Sequence, residues 1–369
     1  MTNRSILYIL PLFTYFSAFC QEVDFLNGDG ALAIGTQSNR TGWITLADVD
    51  NDGDLDALVA NGRHWAEQNY IYFNDGTGNF KSGQLLGKML DASYCIKAAD
   101  LNNDGYQDIL VANDKIPNTI YFGDSIWSFE KSVNIGNLKS PTRHVETADV
   151  DNDGYMDVIF SNRRSKNEIW FNDGKGHFDQ CIYFGDDESE TTMTVATDVD
   201  GNIDLITAER SGNNKVFFNK GNRYFSRTIP FGEEGLACRS VAVADINDDG
   251  NLDIVVGNLG APNRIYLGNT AMDFKESIAF GDSSATNSIA LSDLNNDGII
   301  DIIEGNSGTP NRVFIGNGNH LFTIKYLRED LGDDTYHIEI GDLNNDGFLD
   351  IVEANSEAWN LYYFTVQKE

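Results

Sequence analysis

Residues 48–56 read Asp48-Val49-Asp50-Asn51-Asp52-Gly53-Asp54-Leu55-Asp56, an acidic DxDxDGxxD loop that returns through the whole chain. Counted from its first aspartate, it recurs at Asp48, Asp100, Asp149, Asp198, Asp245, Asp293 and Asp342, at intervals of 52, 49, 49, 47, 48 and 49 residues. Seven copies at one period predict a repeat architecture, built from one supersecondary unit used over and over.

Each unit reads the same way outward from its loop. Before the loop lies an alternating apolar run, such as Trp43-Ile44-Thr45-Leu46-Ala47 or Val241-Ala242-Val243-Ala244, and after it a second, such as Asp157-Val158-Ile159-Phe160. Both are predicted strands. The second ends on a phased asparagine (Asn61, Asn113, Asn162, Asn258, Asn306, Asn355), with Glu209 in the odd repeat. A third, aromatic run follows another phased asparagine, as in Asn69-Tyr70-Ile71-Tyr72-Phe73, and often closes in a turn such as Asn172-Asp173-Gly174. A fourth strand leads to a phased glycine: Gly35, Gly87, Gly136, Gly185 or Gly232. Four short antiparallel strands per unit, with no helical pattern between them, predict an all-β, seven-bladed β-propeller. The last repeat stops after its third strand, whereas Phe25 to Gly35 is a fourth strand without a blade. The N-terminal strand is therefore expected to complete the seventh blade and close the ring.

Composition narrows the possible partners. Of 369 residues, 57 are acidic and 26 are Lys or Arg, a formal charge of -31. A field of that sign repels nucleic acid and anionic membrane surfaces. Ile6 to Phe16 is a short apolar run behind Arg4, followed by Ala18-Phe19-Cys20. This predicts a secretory signal peptide over 1–20, a propeller over 21–369, and a secreted, periplasmic or cell-surface protein with no transmembrane segment. Phe19 stands where a lipobox has a small residue, which argues against lipidation at Cys20. Cys95, Cys181 and Cys238 are scattered over three repeats and are expected to act as small hydrophobes.

Carboxylates at positions 1, 3, 5 and 9 of a tight loop, with Gly at 6, gather hard oxygen ligands around one point, which suits Ca2+ better than Mg2+ or Zn2+. Two such carboxylates about 5 Å apart repel by roughly 3 kcal/mol at an effective dielectric near 20, so folding and metal binding are expected to be coupled. With these loops, the chain resembles the FG-GAP/VCBS repeat family, whose calcium-loop propellers include the integrin α headpiece. The resemblance implies side-chain ligands at Asp48, Asp50, Asp52 and Asp56; at Asp100, Asn102, Asp104 and Asp108; and at Asp149, Asp151, Asp153 and Asp157. It implies the same roles for Asp245, Asn247, Asp249 and Asp253; for Asp293, Asn295, Asp297 and Asp301; and for Asp342, Asn344, Asp346 and Asp350. The fourth copy, Asp198-Val199-Asp200-Gly201-Asn202-Ile203-Asp204, is two residues short and lacks the position-5 aspartate, so about six calcium sites are expected.

Strand direction puts these loops on one face of the ring and the more variable second-to-third and fourth-to-first connections on the other. The first repeat breaks step there: its third-strand asparagine comes 21 residues after the first Asp, against 18 in most repeats, and the insertion falls in Gly62-Arg63-His64-Trp65-Ala66-Glu67-Gln68. Candidate ligand-binding residues on that face are His64, Trp65, Arg143, His144, Arg239 and His337. Arg163, Arg164, Glu209, Arg210 and Tyr336 are also placed there. No GxSxG, HExxH or P-loop is present. The expected function is binding or adhesion towards a glycan or an extracellular protein. The enzymatic alternative is a polysaccharide lyase using His64, His144, Tyr336, His337 and Arg143.

Overall fold

The computed structural model describes residues 22–80, 82–233, 235–318, 320–329 and 332–368; the expected signal peptide and Cys20 lie outside them. The described residues form seven antiparallel sheets and no helix. Six sheets have four strands each, from Thr41–Ala47, Asp56–Asn61, Glu67–Phe73 and Ser82–Asp91 in blade 1 to Thr286–Ser292, Asp301–Asn306, Arg312–Gly316 and Phe322–Tyr326 in blade 6. The first strand of every blade touches the first strand of the next, and Asp334–Gly341 of blade 7 touches Thr41–Ala47. The sheets thus stand around a common axis as a seven-bladed propeller.

The ring closes through the N-terminal segment, in two pieces rather than one strand. Val23–Leu26 pairs with Asn360–Gln367 from Val23↔Gln367 to Leu26↔Phe364, and Ala33–Ile34 pairs with the same strand further along. The chain leaves the sheet at Asn27 and returns at Leu32, and the Asn27 side-chain amide ties the detour down by donating to the carbonyls of Leu32 and Tyr362. Ile34, Ile44, Val59, Val352 and Tyr362 form one apolar cluster across this seam. Each fully buried aliphatic side chain there contributes roughly 1.5–3 kcal/mol.

Second strands such as Asp56–Asn61, Asp108–Asn113 and Asp157–Asn162 are buried at every residue, because a blade is covered on both faces by its neighbours. Their apolar runs are accordingly continuous rather than alternating. Outer strands meet solvent, and Ser132–Ile135 buries only Ile135. Cys95 and Cys238 are buried, and all three described cysteines are free, as expected of small hydrophobes. The phased Gly35 and Gly87 adopt φ of 72° and 78°, and a Cβ on either would strike the hydroxyl of a third-strand tyrosine, Tyr72 or Tyr121. Only glycine meets both demands.

The phased asparagines build a belt between blades. The Thr41 hydroxyl donates to Asn61 at 2.8 Å, the Asn61 amide N–H donates to the Asn69 side chain at 2.8 Å, and Asn69 donates to Ser93 of the next blade at 2.9 Å. The pattern repeats as Ser93–Asn113–Asn118–Thr142 and Thr142–Asn162–Asn167–Thr191. These side chains are buried, so each bond removes a polar group that would otherwise be desolvated without a partner.

Candidate functional site

Two arrangements carry chemistry, one at each end of the axis. At the first, every complete Asp loop folds identically. Asp48 accepts from the backbone N–H groups of Asp52 at 3.1 Å and Gly53 at 3.0 Å, and Asp100, Asp149, Asp245, Asp293 and Asp342 do the same. The residue two places before the loop glycine (Asn51, Asn103, Asn152, Asp248, Asn296, Asn345) sits at φ between 56° and 61°, a region Asn and Asp tolerate. Oxygens of Asp48, Asp50 and Asp56 lie within 4.8 Å of one another, as do those of Asp149, Asp151 and Asp153. Burial and the neighbouring Asp52 and Asp48 hold the Asp50 carboxyl above its usual range. Converging, mutually repelling carboxylates with free lone pairs fit a hard divalent cation.

Position 9 does something else as well. Asp56 is fully buried, and its two oxygens accept from the N–H groups of Val49 at 3.2 Å and Asn74 at 2.9 Å, pinning the loop to the end of the third strand. The same bracket recurs at Asp108, Asp157, Asp253, Asp301 and Asp350. It survives in the fourth copy, where Asp204 accepts from Val199 at 3.1 Å and Asn219 at 2.7 Å. There the ammonium of Lys220 stands 3.2 Å from Asp200, so the shortened loop carries a cation of its own. In the third loop the guanidinium of Arg223 lies 2.6 Å from Asp151.

At the opposite end, each inner strand carries a β-bulge one residue in, between Thr41 and Trp43, Ser93 and Cys95, Thr142 and His144, Thr191 and Met193, Cys238 and Ser240, Thr286 and Ser288, and Thr335 and His337. A bulge re-aims the extra side chain. The seven extra residues, Gly42, Tyr94, Arg143, Thr192, Arg239, Asn287 and Tyr336, ring a small cavity of about 50 Å³ at the axial mouth. Arg63 enters this ring from the blade 1 insertion, with its guanidinium 3.1 Å from the centre of the Tyr336 ring, while that of Arg143 lies 4.1 Å from the centre of Tyr94.

The predicted ligand residues divide between the mouth and the channel beneath it. Arg143 and Arg239 line the mouth, and His64, exposed on the insertion, reaches it through a 2.7 Å hydrogen bond between its Nδ1 and the Tyr94 hydroxyl. Trp65 is 66% exposed at the rim, 5.9 Å from the Arg40 guanidinium. His144 and His337, expected on an exposed face, are instead buried in the channel against Trp43. Arg163 and Arg164 both pair with Glu190. Tyr94 and Arg63 were not singled out from sequence; the seven bulge positions were the available signal, because they vary while the preceding Thr or Ser is nearly constant. Trp359, 50% exposed after the second strand of blade 7, stands on the same face without a sequence signal that marks it. A separate apolar groove of about 710 Å³ runs along the rim of blades 1 and 2, past Leu85, Met89, Leu90, Ile116 and Pro117.

Fold and loops together define a seven-bladed propeller of Asp-loop repeats. Its sequence matches the FG-GAP-like repeat over residues 48–111, 100–160, 197–256, 245–304 and 293–353, and the chain belongs to that family. No curated protein sequence matches it. Among solved structures, it is similar to BBS1N crystallised in complex with ARL6DN and soaked with lead, with a TM-score of 0.63 at 11% identity, covering 92% of this chain and 96% of that one. It is also similar to Raptor of Chaetomium thermophilum, with a TM-score of 0.58 at 14% identity, covering 94% of this chain and 29% of that one. At such identities the likeness is one of fold.

Proposed function

We propose that this protein is an exported, calcium-stapled binding module that engages a protein partner through the face around the axial mouth. The observation that carries the reading is the make-up of that face: arginines and tyrosines ring the mouth, with exposed Trp65 and Trp359 on neighbouring blades outside it. Trp, Tyr and Arg are the residues that dominate binding energy at protein interfaces. The Asp loops occupy the other end, where they brace the ring and leave this face free. BBS1N, of the same fold, was crystallised with a protein partner, which supports a protein over a glycan. The sequence of residues 1–20 supports export. The test measures binding of purified protein to the secreted and surface fraction of the cells that make it, before and after protease treatment. Protease-sensitive binding that falls at least about tenfold in a Trp65→Ala, Trp359→Ala double variant is expected; undiminished binding by that variant sinks the reading.

The 2.7 Å contact between His64 and Tyr94 beside Arg143 favours one second reading, β-elimination on a uronate, with His64 or Tyr94 taking the proton and arginine neutralising the carboxylate. Two facts weigh against it. Burial pushes the Tyr94 phenol up, away from the ionised form a base needs, and a cavity of about 50 Å³ admits a carboxylate but no sugar ring. Release of unsaturated uronates from polyuronate, abolished in Tyr94→Phe, would restore it.

A further inference from the structure

Among the described residues, two of the three arginines lining the axial mouth have no acid within ion-pair distance. Arg143 has Asp114 at 3.0 Å, Arg40 has Glu357 at 2.7 Å, and Arg163 and Arg164 share Glu190. Arg63 and Arg239 have no carboxylate within ion-pair distance among the described residues, and the Nε–H of each is buried without an acceptor. Both guanidiniums instead lie against Tyr336, at 3.1 and 5.7 Å from its ring centre. In a chain with 57 acidic residues this is not a shortage of acids. The mouth places its acids outward and leaves its centre positive. Burial pushes both arginines down to about 10, with Arg210 and Arg63 adding repulsion at Arg239, while Tyr94, Asp334 and Glu357 offset part of the effect at Arg63 from beyond ion-pair distance. A buried charge without a partner is among the costlier things a fold can carry, and it persists most readily where something else supplies the counter-charge.

We infer that the axial mouth is a seat for one carboxylate, the side chain of an aspartate or glutamate projected by a protein partner. The inference rests on the binding face proposed above and names what its centre takes. Arg63 and Arg239 supply charge and N–H donors with the planar geometry that matches a carboxylate. Tyr94, Thr192, Asn287 and Tyr336 line the same cavity. Its volume of about 50 Å³ sets the size limit: a carboxylate on a slender side chain fits, whereas a pyranose does not. The wider rim, with Trp65 and Trp359, is left for the body of the partner.

The seat is tested by melting the protein in saturating calcium against three probes: sodium sulfate, the α-amide of N-acetylglutamate, which bears one side-chain carboxylate, and trigalacturonate. Sodium chloride at matched ionic strength is the reference. A saturable rise in Tm is expected with sulfate and with the glutamate derivative but not with chloride. Its midpoint should move at least about tenfold in Arg239→Gln and in Arg63→Gln, the loss of one charge-assisted donor. Both variants should melt no lower than the parent in chloride, since each sheds a half-buried charge that has no acid within ion-pair distance. Equal responses in parent and variants overturn the seat, as does a variant that melts well below the parent in chloride, which would make the guanidinium structural. Saturation by trigalacturonate far below the glutamate derivative overturns the protein ligand in favour of an acidic glycan. If the seat titrates as expected while extract binding ignores Trp65 and Trp359, the seat stands and the proposed interface falls.

Discussion

Trp43 lies flat on His337, ring centres 3.5 Å apart and planes at 17°, across the seam where blade 7 meets blade 1. His144 meets the same indole edge-on at 4.9 Å. One large side chain therefore plugs the axis. Burial holds both imidazoles well below their ordinary pKa, so the stack is between neutral rings. Trp43→Ala removes the plug and leaves a cavity that seven rigid strands close poorly, at a cost of about 3–5 kcal/mol in thermal or denaturant unfolding. An unchanged Tm would show that the stack contributes nothing.

The repeat, the strand order, the ring closure and the faces of the loops were all legible in the sequence, because each followed from a period of about 49 residues and from strand alternation. The channel was not. The bulge between Thr142 and His144 breaks the alternation, so Arg143 turns to the mouth and His144 into the axis, where an unbroken strand would separate them onto opposite faces. The three-residue insertion lies beside the mouth, but its length does not show that Trp65 stays exposed while Arg63 folds inward onto Tyr336. The asparagines were visible as a phase without a task. Their role depends on Thr or Ser of the next blade, a contact no single repeat displays.

The belt has two odd members, and one of them is Glu209, which takes the asparagine's place beside Thr191 in blade 4. Where other inner strands begin with Thr or Ser, blade 5 has Cys238, whose thiol donates to the Ser240 carbonyl at 3.3 Å. A thiol is a weaker partner than a hydroxyl for Asn258 opposite it. Cys238→Thr, nearly the same in volume, is expected to raise stability by about 0.5–1.5 kcal/mol. Thr142→Val, which strands Asn162 and Asn118, is expected to lower it by about 1–3 kcal/mol. Denaturant midpoints check both; a loss of stability in Cys238→Thr counts against the belt.

The Asp loops separate two roles that calcium can tell apart. If the complete loops hold Ca2+, chelation lowers Tm and added calcium restores it, and Asp50→Asn weakens that response. Asp204 sits in the shortened loop, where Lys220 already faces Asp200. Asp204→Ala orphans one buried and one half-buried N–H group and should cost about 2–4 kcal/mol equally with and without calcium, leaving the calcium midpoint unmoved. A Tm indifferent to chelation refutes the calcium loops, and a calcium midpoint shifted by Asp204→Ala refutes the division of roles.

Glu353 gives a pH signature inside the ring. It is 3% exposed and accepts from the Asn311 amide at 2.7 Å and the Tyr363 hydroxyl at 3.2 Å, with no cation paired to it among the described residues. Burial pushes its carboxyl from the ordinary 4.5 up to about 7. The folded chain thus holds this proton more tightly than the unfolded one. The stability tied to it is complete below about pH 4.5 and is lost as pH rises through about 7. Glu353→Gln imitates the protonated form. It should match the parent near pH 4.5 and exceed it by about 3 kcal/mol at pH 8, the size of the shift. Denaturant unfolding of both proteins across that range, at fixed free calcium, measures the difference directly. Parallel curves from pH 4.5 to 8 would mean that Glu353 titrates as an ordinary carboxylate and that water reaches it between blades 6 and 7.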